Sequence, residues 1–154
     1  MRNSPSRPVP DPARRSRGGP LLILIAFLAL SCQSKSPEEK LLKAVQPVGS
    51  WLASLEMTGQ KWSANSVPAS FVRSTSKAAH EAIAKAAEET AQSDARPELR
   101  DPLRALLAES GDAGDGLRRA VDAGDRPAVA REVGRLAALH ARFEALVQAQ
   151  GGDS

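Results

Sequence analysis

The sequence from Cys32 onward predicts an all-α fold, an antiparallel up-down four-helix bundle. This part of the chain is rich in Ala, Leu, Glu, Arg and Lys, which are strong helix formers. Four segments repeat apolar residues at about 100° per residue, the period of a helix. No segment sustains an apolar-polar alternation, and no Asn-Gly pair marks a hairpin. Short connections between the four segments favour antiparallel neighbours.

The first helix is expected to begin at the segment SPEEK. Ser36 is a good N-cap, Pro37 suits the first helical position, and Glu39 has the spacing of a capping box. Pro47 is expected to kink the helix, because its ring removes a donor and clashes one turn back. The apolar stripe continues across this proline, so we expect one kinked helix or two nearly collinear ones, ending near Ala64. Its members are Leu41, Ala44, Val45, Val48, Trp51, Leu52, Leu55 and Trp62.

The second helix is expected to start near Pro68 and to end at the segment QSDARP, where Ser93 and Pro97 interrupt it. Its stripe is mostly alanine, so a neighbouring helix can come close. The stripe consists of Phe71, Val72, Thr75, Ala78, Ala79, Ala82, Ile83 and Ala86.

The third stripe crosses a glycine-rich segment, ESGDAGDG. Each glycine costs a helix about 1 kcal/mol relative to alanine. The apolar phase nevertheless holds, which favours one long helix over two helices divided by a loop. Small residues at Ser110 and Gly114 leave room for a bulky partner, for which Trp51 or Trp62 is the natural candidate. The stripe consists of Leu99, Leu103, Leu106, Leu107, Ser110, Gly114, Leu117 and Val121.

The segment DAGDRPAV separates the third helix from the fourth. Gly124 suits a C-terminal cap, Asp125 an N-cap, and Pro127 the turn that follows. The last stripe consists of Val129, Val133, Leu136, His140, Phe143 and Val147. We therefore expect the bundle to span residues 37–149 and residues 150–154 to form a disordered tail.

The N-terminal segment has the pattern of a signal peptide covering residues 1–31. Ten apolar residues run from Leu21 to Leu30, about half the length that spans a bilayer. The alternative, a buried helix, would keep a polar face in a small domain. A basic start, a short apolar stretch and a small residue at its end are typical of an export signal. The basic residues are Arg2, Arg7, Arg14, Arg15 and Arg17.

The only cysteine of the chain, Cys32, directly follows Leu28-Ala29-Leu30-Ser31. This segment resembles the lipobox of bacterial lipoproteins, although Ala29 stands where the family most often has leucine. The resemblance implies a lipid on the Cys32 thiol, cleavage between Ser31 and Cys32, and a lipidated tether over residues 32–36. Several acyl chains hold a protein stably on a membrane. By the sorting rule of enteric lipoproteins, Gln33 favours the outer membrane, with the bundle facing the periplasm.

The alternative interpretation is an ordinary signal peptide followed by an incidental cysteine. The resemblance covers the leader and Cys32 and carries no information about the bundle.

The charge balance argues against nucleic acid as a partner. The whole chain has 21 basic and 18 acidic residues, a net charge of +3. Residues 1–31 hold five arginines and one aspartate, which leaves 16 basic and 17 acidic residues in the remainder. A near-neutral domain without a basic block has no electrostatic footprint for nucleic acid.

The two histidines do not complete any of the cofactor sites considered for a helical bundle. The chain has no Cys-x-x-Cys-His motif for covalent haem. His140 lies near the centre of its stripe, but Met57 lies about 160° from the centre of the first stripe, so a haem site with these two axial ligands is disfavoured. Neither histidine follows a glutamate by three residues, as a di-iron site requires. We expect His80 to be exposed. We expect the chain to bind neither a metal nor a cofactor.

Three functional classes remain open from the sequence. The first is a lipid-anchored, non-enzymatic bundle of the cell envelope that binds an envelope protein or has a structural role. The second is a small-ligand, metal or haem-binding bundle that uses His140, with Trp51 and Trp62 lining a pocket. The third is an enzyme with a dispersed site. No catalytic residue is predicted, since the sequence contains no nucleophile motif and no phosphate-binding loop.

Overall fold

The computed structural model describes residues 35–151, almost all of them helical. The predicted signal peptide, with Ser31, lies outside the described residues, and so do Cys32, Gln33 and the end of the predicted tail, residues 152–154. The described residues contain no strand. They form four helices: α1 (Pro37–Ser63), α2 (Ala69–Gln92), α3 (Pro97–Asp122) and α4 (Arg126–Gly151).

The four helices pack as an antiparallel up-down bundle, which confirms the predicted fold. Successive helices are joined by short connections at 64–68, 93–96 and 123–125. Helix α1 packs against α2 and α4, and α3 packs against the same two helices. Across the diagonal, α1 also meets α3. Each helix therefore buries one apolar stripe against two neighbours.

The predicted start of α1 is confirmed, and the helix runs through Pro47 as one element. The backbone N–H of Glu39 donates a hydrogen bond to Ser36 Oγ at 3.1 Å, so Ser36 is the N-cap. Pro47 lies on the exposed side of α1, as does Lys43, whose carbonyl would otherwise accept the missing hydrogen bond. Water can therefore satisfy that carbonyl. The bend expected at Pro47 stays a prediction.

Helix α3 is a single helix across the glycine-rich segment, as its stripe predicts, and all eight members of the stripe are buried. The room beside Gly114 is filled differently from our expectation. Leu55 of α1 lies there, its Cδ1 only 3.3 Å from the position that a Cβ on residue 114 would occupy. The prediction that Trp51 or Trp62 fills this space is therefore wrong, because the diagonal contact brings a leucine to it.

The connection between α3 and α4 has the predicted caps. Gly124 has a φ of +67°, a left-handed conformation that glycine adopts without strain. Asp125 Oδ1 accepts a hydrogen bond from the backbone N–H of Ala128 at 2.9 Å, so Asp125 is the N-cap. Helix α4 extends through Gly151, so the predicted bundle end at residue 149 is two residues short.

Several apolar residues are placed differently from the stripes. Phe71 was expected to face the core but is 49% exposed, whereas Val72 beside it is buried. Leu139 was outside the predicted stripe of α4 but is 2% exposed. Ala95, Ala113 and Ala120 are also buried although the stripes omit them, whereas the stripe members Trp51, Trp62, Val133 and Val147 are only partly buried. Leu52, Leu103 and Phe143, all in the stripes, are among the largest fully buried side chains.

Candidate functional site

The folded bundle begins close to the predicted lipid attachment point. Helix α1 starts at Pro37, five positions after Cys32. The carboxylate of Glu38 in the first turn of α1 lies 3.3 Å from the Nε of Arg96, just ahead of α3. Its pKa lies below the ordinary value, chiefly through a hydrogen bond with its own backbone N–H and then through Arg96. These contacts tie the first turn of α1 to the connection between α2 and α3.

Trp62 fastens the turn between α1 and α2 to the start of α4. The guanidinium carbon of Arg126 lies 5.8 Å from the centre of the Trp62 ring, a distance typical of a cation–π contact. The same guanidinium donates hydrogen bonds to the Ser63 carbonyl at 2.9 Å and to Asn65 Oδ1 at 2.6 Å. Asn65 has a φ of 57°, the left-handed conformation that asparagine tolerates. The contacts of Trp62 therefore have a structural explanation.

The geometry does not support a pocket shared by Trp51, Trp62 and His140. The two tryptophans are both half-buried, and eleven residues separate them on α1, about 16 Å along the helix axis. Pro47 lines a groove between α1 and α2, and Trp51 follows it by one turn on that side. His140 belongs to α4, which packs on the other side of α1.

His140 is half-buried on α4 beside a carboxylate. Its Nε2 lies 3.7 Å from Glu144 Oε1, too long for a hydrogen bond. The same carboxylate oxygen lies 3.0 Å from the position that a Cβ on Gly49 would occupy, so His140 borders the contact between α4 and α1. Two side chains one turn apart do not make a metal site. No group of three or more potential metal-ligating His, Cys, Asp or Glu side chains occurs among residues 35–151.

A groove between α2 and α3 brings together a serine, a histidine and an aspartate, a combination that was not predicted from the sequence. It encloses about 610 Å³ and is lined by charged side chains around Ser76, which is 4% exposed. His80 Nδ1 lies 4.0 Å from Asp115 Oδ2 across the two helices. His80 is exposed, as predicted. Only the i, i+4 spacing of Ser76 and His80 was visible in the sequence, since the third residue lies 35 positions further along.

The chemistry of this Ser76–His80–Asp115 group is limited by burial. The Ser76 hydroxyl has essentially no exposed surface and no hydrogen-bond partner. A nucleophile must reach a substrate, and this hydroxyl is covered. The two arginines beside it are engaged with Asp122: Arg73 at 2.6 Å and Arg118 at 3.7 Å. The group is therefore a surface ion-pair network above a buried serine.

A second groove runs between α1 and α2 on the side of Pro47. It encloses about 570 Å³, and its floor is apolar. Three lysines and one glutamate stand at its rim: Lys40, Lys43, Lys85 and Glu89. A smaller groove of about 310 Å³ adjoins it toward the start of α1 and shares Lys40, Ala44 and Glu89 with it.

A close ion pair joins α3 and α4. Arg142 Nη1 donates a hydrogen bond to Glu109 Oε2 at 2.6 Å. This hydrogen bond lowers the pKa of Glu109 and raises the pKa of Arg142. Both side chains are largely exposed, so the pair contributes little to stability at physiological salt.

Among the described residues, no helix combines the length and the apolar character that crossing a membrane requires. No protein-family model matches the chain, and it has no significant match among curated proteins or solved structures.

Proposed function

We propose that this chain is a lipid-anchored lipoprotein of the bacterial cell envelope, whose helical bundle has a partner-binding or structural role rather than a catalytic one. The observation that carries the proposal is Cys32. It is the only cysteine, and it stands directly after ten apolar residues and a small serine. A thiol in this position resembles the acceptor of the lipoprotein lipid, and signal peptidase cleavage would then make it the first residue of the mature protein.

The distance between Cys32 and the bundle supports an anchored domain held near a membrane. Four residues, Gln33 to Ser36, separate the cysteine from Pro37. Fully extended, they reach at most about 14 Å. The last of them is already the N-cap of α1, so such a tether is shorter still.

A non-catalytic role is supported by what the described residues do with their reactive side chains. The Ser76–His80–Asp115 group has hydrolase residue types, but its hydroxyl is buried and has no hydrogen-bond partner. Some charged side chains form ion pairs between elements: Arg96 with Glu38 of α1, and Arg142 of α4 with Glu109 of α3. A helical bundle with such a surface suits a protein that presents a face to a partner.

The test is expression with the native leader in a bacterium, followed by the intact mass of the membrane-extracted protein. The expected mass is that of residues 32–154 plus diacylglycerol and an N-acyl group. Cys32→Ser should abolish both the lipid and the cleavage, whereas Ser34→Ala, a matched change two residues later, should leave both unchanged. A normally cleaved, lipid-free mature protein would overturn the proposal in favour of an ordinary exported protein.

Membrane location is tested separately by density-gradient fractionation in an enteric host. The wild-type protein should sediment with the outer membrane. Gln33→Asp should move it to the inner membrane, because aspartate at this position is the retention signal of that sorting rule. If both proteins sediment with the inner membrane, the outer-membrane assignment is wrong even when Cys32 carries lipid.

A further inference from the structure

The groove between α1 and α2 combines an apolar floor with a cationic rim, and we call it the lysine groove. Its rim amines belong to Lys40, Lys43 and Lys85. Lysine buries its aliphatic stem along an apolar surface and keeps its ammonium group in water. The floor consists of Ala44, Pro47, Val48, Ala82 and Ala86. The groove therefore suits a ligand with an anionic head and an apolar body.

The charge at the rim is mostly uncompensated. Among residues 35–151, Lys40 and Lys43 form no salt bridge. Lys85 forms one long salt bridge, with its Nζ 3.8 Å from Glu89 Oε1. At this rim three ammonium groups face one carboxylate, and a second carboxylate, that of Asp94, lines the adjoining smaller groove with Lys40. In the groove between α2 and α3, by contrast, Arg73 already holds Asp122 at 2.6 Å. The rim of the lysine groove therefore carries a net positive charge that can attract a phosphate.

Two exposed apolar side chains extend the same side of the bundle. Met57 on α1 and Phe71 on α2 are each 49% exposed, and they are the exposed large hydrophobic residues of the described chain. Met57 follows Lys43 by 14 residues, and Phe71 precedes Lys85 by 14 residues. Fourteen residues are nearly four turns, so each apolar residue lies within about 40° of the lysine on its own helix. Since the helices are antiparallel, both lie toward the same end of the bundle.

We propose that this α1–α2 side, the lysine groove with Met57 and Phe71, is the surface on which the bundle lies against a lipid bilayer containing anionic phospholipids. Lipid phosphates occupy the rim of the lysine groove. The apolar floor receives the glycerol and first methylene groups, and Met57 and Phe71 enter the headgroup boundary. Apolar side chains combined with lysines are the usual elements of interfacial membrane binding.

The orientation rests on the proposed anchoring, because the anchor brings the groove to the membrane. Lys40 follows the N-cap Ser36 by four residues, and the groove ends near Val48, so it lies about 6 to 18 Å along α1 from the tether. A tether of at most about 14 Å allows the bundle to lie on this side at the level of the lipid phosphates.

The test is acetylation footprinting of the purified full mature protein on vesicles, with each lysine quantified by mass spectrometry. Vesicles of phosphatidylcholine alone are compared with vesicles containing one part in three of phosphatidylglycerol. We expect slower acetylation of Lys40, Lys43 and Lys85 on the anionic vesicles. Lys77, which lines the groove between α2 and α3, should react at an unchanged rate and serves as the internal control. Salt at 0.5 M should remove the protection, since the Debye length falls well below 10 Å.

Two charge-reversal variants sharpen the test. Lys43→Glu should weaken the protection of Lys40 and Lys85 by about fivefold or more, as expected for one basic residue near an anionic membrane. Lys77→Glu makes the same charge change on the other groove and should leave that protection unchanged. Equal protection of Lys77, equal effects of the two variants, or no protection of the three rim lysines would each overturn the proposal.

Two further arms distinguish the sources of phosphate and the two proposals. Inorganic phosphate added to the detergent-solubilised protein should not protect the rim lysines; if it does, the groove binds a free anion and the membrane orientation is wrong. The intact mass reports the lipid on Cys32 separately. If that mass shows no lipid, the unlipidated protein is mixed with the same vesicles. The presence or absence of protection at the three rim lysines then decides the lysine groove proposal independently of the anchor.

Discussion

At Gly59, α1 approaches both α3 and α4, and Gly59→Ala tests that approach. A Cβ on residue 59 of α1 would lie 2.6 Å from Val133 Cγ2 of α4 and 3.0 Å from Leu117 Cδ1 of α3. Real Cβ contacts are not that short, so something must shift. Valine has one strongly preferred χ1 rotamer in a helix, so Val133 cannot simply turn away.

The expected free-energy change is the balance of two terms. Replacing glycine by alanine inside a helix stabilises it by about 1 kcal/mol. Overpacking a well-packed core costs about 1–3 kcal/mol. The net effect of Gly59→Ala is therefore between neutral and about 2 kcal/mol of destabilisation. Gly134→Ala is the matched control, because nothing lies within 4 Å of a Cβ on residue 134 of α4, and we expect it to stabilise the protein by about 1 kcal/mol.

The assay is urea unfolding of the purified mature protein, followed by circular dichroism at 222 nm. With a urea m-value of about 1–3 kcal/mol/M, the two variants should differ in midpoint by roughly 1 M, Gly134→Ala being the higher. If Gly59→Ala raises the midpoint as much as Gly134→Ala does, α1 does not approach α3 and α4 this closely in solution. An altered m-value would show instead that the compactness of the native or unfolded state had changed.

Three other substitutions have expected outcomes that the same unfolding assay can check. Gly116→Ala should stabilise the protein by up to about 1 kcal/mol. Its Cβ would displace only the flexible carboxylate of Glu132, 2.7 Å away, whose Oε2 is buried without a hydrogen-bond partner; a loss of stability would mean that Glu132 is needed in place. Ser36→Ala should cost about 1 kcal/mol through loss of the N-cap of α1, and an unchanged midpoint would show that the cap is not formed. Glu109→Gln should remove a small stabilisation that is pH-dependent. The hydrogen bond from Arg142 lowers the pKa of Glu109, so its contribution is present above the unfolded value of about 4.3 and disappears as the pH falls through the lower folded value. The stability difference between wild type and Glu109→Gln should therefore be largest at neutral pH and low salt and should shrink as the pH falls below about 4.3, and a difference that grows on acidification would contradict the assignment.

The fold was predictable from sequence because the four apolar stripes and the caps agree with one another. Ser36, Pro68, Gly124 and Asp125 mark helix boundaries within a residue or two of those observed. A stripe defines a face about 100° wide, however, and adjacent residues also differ by 100°. Val72 and Phe71 therefore compete for the same interior position, and only the packing of the neighbouring helices places the valine inside.

The same ambiguity explains the placement of His140. Leu139 and His140 are adjacent, and the predicted stripe includes the histidine instead of the leucine. In the bundle, Leu136, Leu139 and Phe143 face the interior, and His140 is left at the border with α1. Whether His140 can line a pocket therefore depends on which helix packs against each side of α4. The apolar stripe alone does not specify those neighbours.

The grooves were not predictable, because each requires two helices to be set in register. Ser76 illustrates this. Three other buried hydroxyls, those of Thr58, Thr90 and Ser110, each donate to the backbone carbonyl four residues earlier at 2.6–2.7 Å. Ser76 makes no such hydrogen bond. Sequence spacing gives all four hydroxyls the same opportunity, so the sequence alone does not distinguish Ser76 from the other three.

Helix α3 shows how the tertiary packing overrides local propensity. Gly111, Gly114 and Gly116 together cost the helix about 3 kcal/mol relative to alanine. Burying Leu107 and Leu117 contributes about 1.5–3 kcal/mol each, and both are 0–1% exposed only if the helix keeps its phase across the glycines. Two of the three glycines also have neighbours that need the space: Leu55 beside Gly114 and Glu132 beside Gly116. The continuous helix therefore follows from contacts on both sides of the segment. Gly114 is one of the glycines that weaken α3 locally, and its missing side chain leaves the space in which Leu55 of α1 meets α3 across the diagonal.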